Sequence, residues 1–245
     1  MDTADIVRKI RELPREGLVR TLYEAIPWKE RAHYETRIMD PAIRPLRDDM
    51  VLVGPAYTVG DPWMALDMLA DDSKAGCVIA IATAGCEGTF AGGFMATLAQ
   101  ADGAVGLVTD GFVTGSAALV KQDLPVFSKG SRVPYAGYSV EGRYQVPVSC
   151  GGVLVEPGQI IVGDADGVMV LRPQDAEVLA EDARWLVEVI RIMKTRYLSK
   201  GVRFVDIPGV RDYWRYKVEG TRGEAEFYRE WVEKHGEGEP QAGME

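Results

Sequence analysis

Two short segments of the chain combine residue types that can bind or transform an organic acid. The first, Ala91-Gly92-Gly93-Phe94, opens a stretch with helical spacing over Gly92–Ala101. The first N–H groups of a helix have no partner inside it and lie at the positive end of its dipole, so they can bind a carboxylate without any side chain. We therefore expect Gly92, Gly93, Phe94 and Met95 to bind substrate. The alternative is that two glycines only ease the entry into a helix beside a crowded strand.

The second segment places a carboxylate at the end of a buried strand. The apolar run Gly106–Thr109 stops at Asp110-Gly111, a pair typical of turns. A carboxylate in this position can contact a ligand or a hydrated metal ion, but an Asp also starts turns by bonding its own backbone, and both interpretations stay open. Thr114 follows, and its hydroxyl can donate to a substrate oxygen. We predict Asp110 and Thr114 as catalytic residues and Asp110 as a metal ligand.

Other familiar kinds of site are not indicated. His33 and His235 are the 2 histidines, and both fall outside the predicted core, which argues against a histidine-rich metal site and a Ser-His-Asp triad. Ser116 lacks the Gly-x-Ser-x-Gly elbow, and no glycine-rich phosphate-binding consensus is present. The sequence therefore predicts no organic cofactor.

Composition limits the partners and the compartment. With 28 basic and 37 acidic residues, the net charge of −9 disfavours nucleic acid and anionic membranes as partners. The 3 cysteines are scattered, which predicts a reducing compartment and a cytoplasmic protein. The longest apolar run, around Cys77–Ala84, is too short to cross a bilayer.

Hydrophobic spacing predicts the elements that hold these segments. Helices are expected at Ile6–Leu13 and Gly17–Ile26, and a long amphipathic helix at Pro173–Tyr197. In the Gly92–Ala101 helix, Phe94, Met95 and Leu98 are expected to point inward. Alternating strands and helices followed by several adjacent strands predict an α/β fold with a mixed sheet and a second, smaller sheet.

The same patterns predict how the chain is organised. We expect a single domain over residues 1–198, with N-terminal helices in 1–49 and the core in 50–198. A C-terminal extension, 199–245, is expected to carry one helix, near Glu224–Lys234.

Several motifs in order resemble a known family. The strand running into Asp110-Gly111 is followed by "LPVF-x-x-G" from Leu124, "VPV-x-CGG-V-x-V-x-PG-x-I" from Val146 and "D-x-DGV" from Asp164. This order is similar to that of the ribonuclease-activity regulator A proteins and the class II pyruvate aldolases. The resemblance runs from Leu52 to about Arg191 and covers more than half the chain.

The resemblance implies a fold, an assembly and a chemistry. The fold would be an α/β/β sandwich like the phosphohistidine swivelling domain, assembled as homotrimers or as hexamers of paired trimers. The aldolases cleave 4-hydroxy-4-methyl-2-oxoglutarate and related acids, and use Mg²⁺ or Mn²⁺ to hold the 2-oxo acid. A Gly-x-x-Leu/Met turn binds the pyruvate carboxylate through its backbone, and Gly92, Gly93 and Met95 fall at those positions, with Gly93 where an acidic residue is common.

The chain departs from the aldolases at two positions. In those enzymes Asp-Gly, two further residues and then Arg-Asp form the motif, in which the Arg grips the substrate and the Asp helps to hold the metal. Here Thr114 and Gly115 stand in their place; Lys129, Arg132 and Arg143 are the cations nearby in sequence. We expect a divergent aldolase- or decarboxylase-like lyase for a small 2-oxo or hydroxy acid. The alternatives are a non-catalytic regulator that binds protein partners, and a different reaction on the same scaffold.

Overall fold

The structure is a computed structural model, and it describes residues 2–60, 64–65, 71, 74–135, 138–139, 142–220 and 225–236. The α-helices it describes are α1 (Thr3–Arg11), α2 (Leu18–Ala25), α3 (Arg31–Glu35), α4 (Gly93–Ala101), α5 (Ser116–Leu119), α6 (Pro173–Ile192), α7 (Val210–Glu219) and α8 (Ala225–Gly236). The predicted helices at Ile6–Leu13, Gly17–Ile26 and Gly92–Ala101 are confirmed within a few residues. The predicted Pro173–Tyr197 helix is also confirmed, its last turn being the π-helix Met193–Tyr197.

A seven-stranded mixed sheet forms the centre of the fold. Its strands lie in the order β1 (Arg44–Pro45), β8 (Val126–Ser128), β6 (Gly106–Thr109), β4 (Val78–Ile81), β2 (Leu52–Val59), β12 (Ile160–Asp164) and β13 (Gly167–Leu171). β2, β4, β6 and β8 are parallel, whereas β1, β12 and β13 pair antiparallel to their neighbours. The carboxyl ends of β4 and β6 therefore meet at one edge of the sheet.

Smaller two-stranded sheets complete the β-structure. β5 (Thr89–Ala91) pairs in parallel with β7 (Phe112–Val113), and β3 (Met64–Ala65) pairs in parallel with β9 (Tyr138–Ser139). β10 (Val148–Cys150) and β11 (Val153–Val155) form an antiparallel hairpin. The predicted α/β class with a mixed sheet and a smaller one is confirmed.

Alternation along the strands produces layers on both faces of the central sheet. In β4, Ile79 and Ile81 belong to one buried cluster together with Met95 and Ala99 of α4. Val78 and Ala80 belong to a second cluster that includes residues of the β10–β11 hairpin. Since successive side chains of a strand point to opposite faces, a helix covers one face and a hairpin the other. This is the α/β/β layering that was expected.

The chain divides into two compact units. One contains residues up to Val19 and Glu35–Ala176; the other contains Arg20–Tyr34 and residues from Glu177 onward. The predicted boundary at residue 198, between a core domain and an extension, remains a prediction. No helix among the described residues is both long and apolar enough to cross a membrane.

The C-terminal extension contains two described α-helices, so the prediction of one is wrong. α8 lies where a helix was expected, near Glu224–Lys234, but α7 was missed. Val210, Tyr213 and Lys217 of α7 are buried at helical spacing. The Pro and Gly residues that flank this stretch concealed a short amphipathic helix.

In the second unit, two lysine side chains donate hydrogen bonds to carbonyl oxygens at the ends of helices. Lys217 of α7 donates to the carbonyl oxygen of Glu24, in the last turn of α2. Lys29 donates to the carbonyl oxygen of Glu219, the last residue of α7, at 2.7 Å. The final carbonyls of a helix lack intrahelical partners and attract cations. Lys217 therefore stabilises the end of α2, and Lys29 stabilises the end of α7.

Candidate functional site

The structure brings the two chemically suggestive segments together. β5 leads into Gly92 and β7 leads into Thr114, and the Thr114 N–H donates to the carbonyl oxygen of Ala91 at 2.9 Å. A Cβ built on Gly92 would lie 3.2 Å from Cγ2 of Thr114. The glycine turn and the Thr114 turn are therefore in van der Waals contact. The binding and catalytic roles assigned to their residues stay predictions.

The start of α4 presents open backbone donors at this point. Gly92 is the N-cap, and its carbonyl oxygen accepts the Ala96 N–H at 3.0 Å. No side chain caps the helix, and the described part of the chain offers no acceptor for the N–H groups of Gly93, Phe94 and Met95. Three adjacent donors at the positive end of a nine-residue helix are suited to a carboxylate.

The side chains of this loop face different ways. Met95 is buried, but Phe94 is 72% exposed, so the prediction that Phe94 points inward is wrong. The buried stripe of α4 consists of Met95, Ala96 and Ala99. Phe94 lies about 100° around the helix from Met95, and it can contribute to binding through its N–H.

Gln122 holds the first turn of α4 and was not found from the sequence. Its Nε2 donates to the carbonyl oxygen of Gly93 and to Oγ1 of Thr97, both at 3.1 Å. Its buried Oε1 has no hydrogen-bond partner among the described residues. No motif marks Gln122, because its importance comes from a contact between residues 29 positions apart.

Asp110 ties three chain segments together. Its Oδ1 accepts the N–H of Thr83, which follows β4, at 2.8 Å. Its Oδ2 accepts the N–H of Gly151, in the β10–β11 turn, at 3.3 Å. The turn itself is closed by Thr109, whose Oγ1 accepts the Gly111 N–H at 3.1 Å. Asp110 thus accepts hydrogen bonds from distant backbone N–H groups. The hydrogen bond within the turn is made by Thr109 and not by Asp110.

Tight packing fixes the residue after Asp110. A Cβ on Gly111 would lie 2.6 Å from Cδ2 of Phe90 and 2.7 Å from Cγ2 of Thr83. Such distances are far inside van der Waals contact, so only glycine fits between these two side chains. Phe90 belongs to β5, and the close approach therefore sets the distance between the Asp110 turn and the glycine turn.

Cys150 lies in the buried surroundings of Asp110. The thiol is fully buried, and its Sγ contacts the carbonyl oxygen of Ile81 at 3.6 Å. Burial raises the pKa of the Cys150 thiol, and the negative charge of Asp110 raises it further. Cys150 therefore stays a thiol and packs as a small apolar side chain.

The described residues at the turn offer a metal ion one carboxylate, and the role of Asp110 as a metal ligand stays a prediction. The described residues contain no group of three or more His, Cys, Asp or Glu side chains that could hold a metal ion. Asp110 would supply a single carboxylate, and both of its oxygens already accept N–H groups. Mg²⁺ is usually held by one or two carboxylates together with substrate oxygens and water, but Gly115 removes the second carboxylate of the aldolase motif.

The cations named from the sequence take different positions. Lys129 lies 3.2 Å from Oδ2 of Asp40, whose pKa is lowered by the Ala42 N–H and by this contact. Arg132 lies 2.9 Å from Oε2 of Glu87 and stacks 5.7 Å from the centre of the Phe112 ring. Since Phe112 belongs to β7, Arg132 is beside the strand that leads into Thr114.

Comparisons with known proteins agree with this architecture. The family model described as "RraA-like: Aldolase/RraA" matches residues 20–170. A protein of Halalkalibacterium halodurans named "Putative 4-hydroxy-4-methyl-2-oxoglutarate aldolase" is 34% identical over 146 residues, which cover 58% of this chain and 70% of that protein.

Two solved structures share the fold at lower identity. One is RraAS2 of Streptomyces coelicolor, described as "an unusual member of the RNase ES inhibitor RraA protein family"; it is 21% identical, with a TM-score of 0.64, over 80% of this chain and 98% of that one. The other is "the RNA-processing inhibitor RraA" from Thermus thermophilis, 22% identical with a TM-score of 0.50 over 55% of this chain and 84% of that one.

Proposed function

Because this chain belongs to the Aldolase/RraA family, we propose that it is a lyase that cleaves or decarboxylates a small 2-oxo or hydroxy carboxylic acid. One observation carries the proposal: the three open N–H groups at the start of α4 lie directly beside the turn that contains Thr114. By the family resemblance, the helix end is the part of the aldolase site that this chain would retain, and the Thr114 hydroxyl would stand in place of the aldolase Arg.

The residues suggest a division of labour. The N–H groups of Gly93, Phe94 and Met95 bind the substrate carboxylate, and the Thr114 hydroxyl donates to the neighbouring oxygen. When the C3–C4 bond of the 2-oxo acid breaks, CO2 or a carbonyl compound leaves and the electron pair of that bond forms the enolate of pyruvate. Negative charge then develops on the 2-oxo oxygen, and fixed dipoles aimed at that oxygen stabilise it. Asp110 positions the turn through Thr83 and Gly151. Thr114 carries no charge, so we expect slow turnover, since charged hydrogen bonds are roughly twice as strong as neutral ones.

The experiment removes one donor while keeping the helix. Pro is favoured at the first helical position, and an extended residue before it is compatible; Gly93 is that first position and Gly92 has φ −141° and ψ 179°. Gly93→Pro therefore deletes one N–H of the proposed carboxylate site. Gly93→Ala is the matched control, because its Cβ would make an ordinary contact with Cβ of Ala118 at 3.7 Å.

Pyruvate release from 4-hydroxy-4-methyl-2-oxoglutarate and from oxaloacetate is the measurement, with and without Mg²⁺ or Mn²⁺. We expect weak but measurable release by the wild type and by Gly93→Ala. We expect a fall of about tenfold or more in kcat/KM for Gly93→Pro, as for the loss of one hydrogen bond to a charged group. Equal rates in the two folded variants would contradict carboxylate binding at α4, and no release above buffer would contradict lyase activity on these acids.

A second candidate is a protein-binding regulator without catalytic activity. Two observations favour it: the absence of the aldolase Arg-Asp pair at Thr114 and Gly115, and exposed apolar side chains in the extension. Phe204, Val205 and Trp214 surround an open cavity of about 330 Å³ there. A lack of lyase activity together with stable capture of a protein partner would select this candidate.

The assembly and compartment are also proposals. We propose a homotrimer or a hexamer of paired trimers, because the family resemblance is carried by the scaffold. Light scattering at micromolar concentration should give three or six times the 26.9 kDa chain mass, and a monomer would contradict it. We also propose a cytoplasmic location, since the 3 cysteines are scattered and form no disulfide in the structure.

A further inference from the structure

The segment after β8 runs alongside the candidate site. The Val113 N–H donates to the carbonyl oxygen of Gly130 at 3.0 Å, and the Arg132 N–H donates to the carbonyl oxygen of Val113 at 2.9 Å. Residues 130–132 are therefore bonded to β7 through the backbone. These contacts fix where the Arg132 side chain begins.

Arg132 lies on the same side of the chain as Thr114, the residue after β7. Val113 is fully buried, whereas Phe112 and Thr114, on either side of it, are half-buried. Val113 forms a parallel bridge with Ser131, so Thr114 and Arg132, the residues that follow each of them, are neighbours across the two segments. The Arg132 guanidinium stacks over Phe112. It thus lies on the side that carries Thr114, which itself contacts Gly92.

We propose that Arg132 determines substrate specificity by binding a second carboxylate of the substrate, and that Glu87 is an exchangeable counter-ion that this carboxylate replaces. The inference rests on the proposed function, in which the start of α4 binds the first carboxylate. The ligand class is a short 2-oxo dicarboxylic acid whose carboxylates reach from the α4 N–H groups to Arg132.

The environment of Arg132 suits exchange. Its side chain is 41% exposed and that of Glu87 is 79% exposed. Exposed ion pairs contribute little to stability, so exchange of one carboxylate for another costs little. The planar guanidinium can hold a carboxylate through two parallel hydrogen bonds, and stacking on Phe112 limits the orientations of the plane.

Calorimetric titration with a matched pair of ligands tests this assignment. 2-Oxoglutarate and 2-oxopentanoate have the same carbon chain, but only the first has a second carboxylate. We expect the wild type to bind 2-oxoglutarate about tenfold or more tightly than 2-oxopentanoate, the effect of one charged hydrogen bond. Arg132→Gln should abolish this preference, Arg132→Lys should keep part of it, and Glu87→Gln should increase it.

Arg8→Gln is the control for loss of one exposed, ion-paired arginine, because the guanidinium nitrogens of Arg8 lie 3.1 Å from Oδ1 of Asp5 and from Oε1 of Glu12. It should leave the preference unchanged. If the ion pair is purely structural, Arg132→Gln and Glu87→Gln should lower the unfolding temperature by similar amounts. They should then not shift the preference for 2-oxoglutarate in opposite directions, and that result would overturn the inference. Equal binding of both ligands by the wild type would also overturn it and leave the proposed function standing. Binding of neither ligand would overturn both.

Discussion

Replacing the two divergent residues with those of the aldolases tests whether the site has the aldolase geometry. Thr114→Arg with Gly115→Asp restores the pair that follows Asp110-Gly111 in those enzymes. The Asp110 turn is already fixed by bonds to Thr83 and Gly151. The new side chains should therefore project from the same backbone positions as in the aldolases. We expect metal-dependent decarboxylation of oxaloacetate to appear or increase.

The structure sets the cost of this change. Gly115 has φ 70° and ψ 34°, the left-handed region that side chains disfavour. The nearest atom to a Cβ there is the Gly93 nitrogen at 4.0 Å, so the cost is one of conformation and not of crowding. An Asp should lose about 1 kcal/mol, a fall of about 2–4 °C in unfolding temperature. The arginine should contribute about 1.5–3 kcal/mol per charged hydrogen bond, roughly tenfold or more in rate.

Pyruvate release from oxaloacetate is measured with Mg²⁺ or Mn²⁺, with EDTA, and without protein to correct for decarboxylation by the metal alone. Thr114→Arg with Gly115→Asn is the matched control, because Asn tolerates the left-handed region but lacks the carboxylate charge. If the folded Arg-Asp variant releases pyruvate no faster than this control and the wild type, residues 114 and 115 do not occupy the aldolase positions. The regulator would then be the better proposal.

Three further outcomes are expected. Asp110→Asn leaves one oxygen for the two N–H groups of Thr83 and Gly151; it should lower the free energy of unfolding by about 1–3 kcal/mol, and an unchanged calorimetric melting curve would disagree. Burial and the charge of Arg31 lower the pKa of Lys217 to about 8, so the unfolded chain binds more protons than the folded protein above that pH. Denaturant titrations should therefore show the free energy of unfolding rising from pH 8 to 9.5, by at most about 1.4 kcal/mol per pH unit. Lys217→Met should flatten this rise. Of the three thiols, exposed Cys86 should react rapidly with Ellman's reagent and buried Cys150 only on unfolding; rapid reaction of Cys150 in the native protein would argue against its burial.

Local patterns were sufficient to predict the main elements. β6 was predicted because a short apolar run that stops at a turn pair, here Gly106–Thr109 before Asp110-Gly111, is typical of a buried strand. α4 was predicted, and Met95 is buried as expected, but the rest of its inward face was not found. The prediction gave most weight to the bulky Phe94, whereas alanines at 96 and 99 supply the buried stripe beside Met95.

Long-range contacts explain what the sequence concealed at the site. Asp110 was correctly marked as a polar residue at a strand end, but its partners are 27 and 41 residues away. Arg132 was one of three cations considered, and only pairing of residues 130–132 with β7 distinguishes it. Such pairings depend on sheet topology, which residue types and spacing do not determine.

The hydrogen bonds that Lys217 and Lys29 make between α7 and residues 24–29 have a consequence for proteolysis. Lys29 and Lys217 join helices that are almost two hundred positions apart in the chain, and Arg31 adds a bond to the Ile26 carbonyl at 3.2 Å. A protease that cuts once between residues 200 and 209 would leave these bonds in place, together with the packing of buried Tyr213 and Tyr216. The nicked protein should therefore migrate as one particle in gel filtration and separate into two fragments only in denaturant. The C-terminal peptide would behave as a subunit that happens to share a chain with the rest.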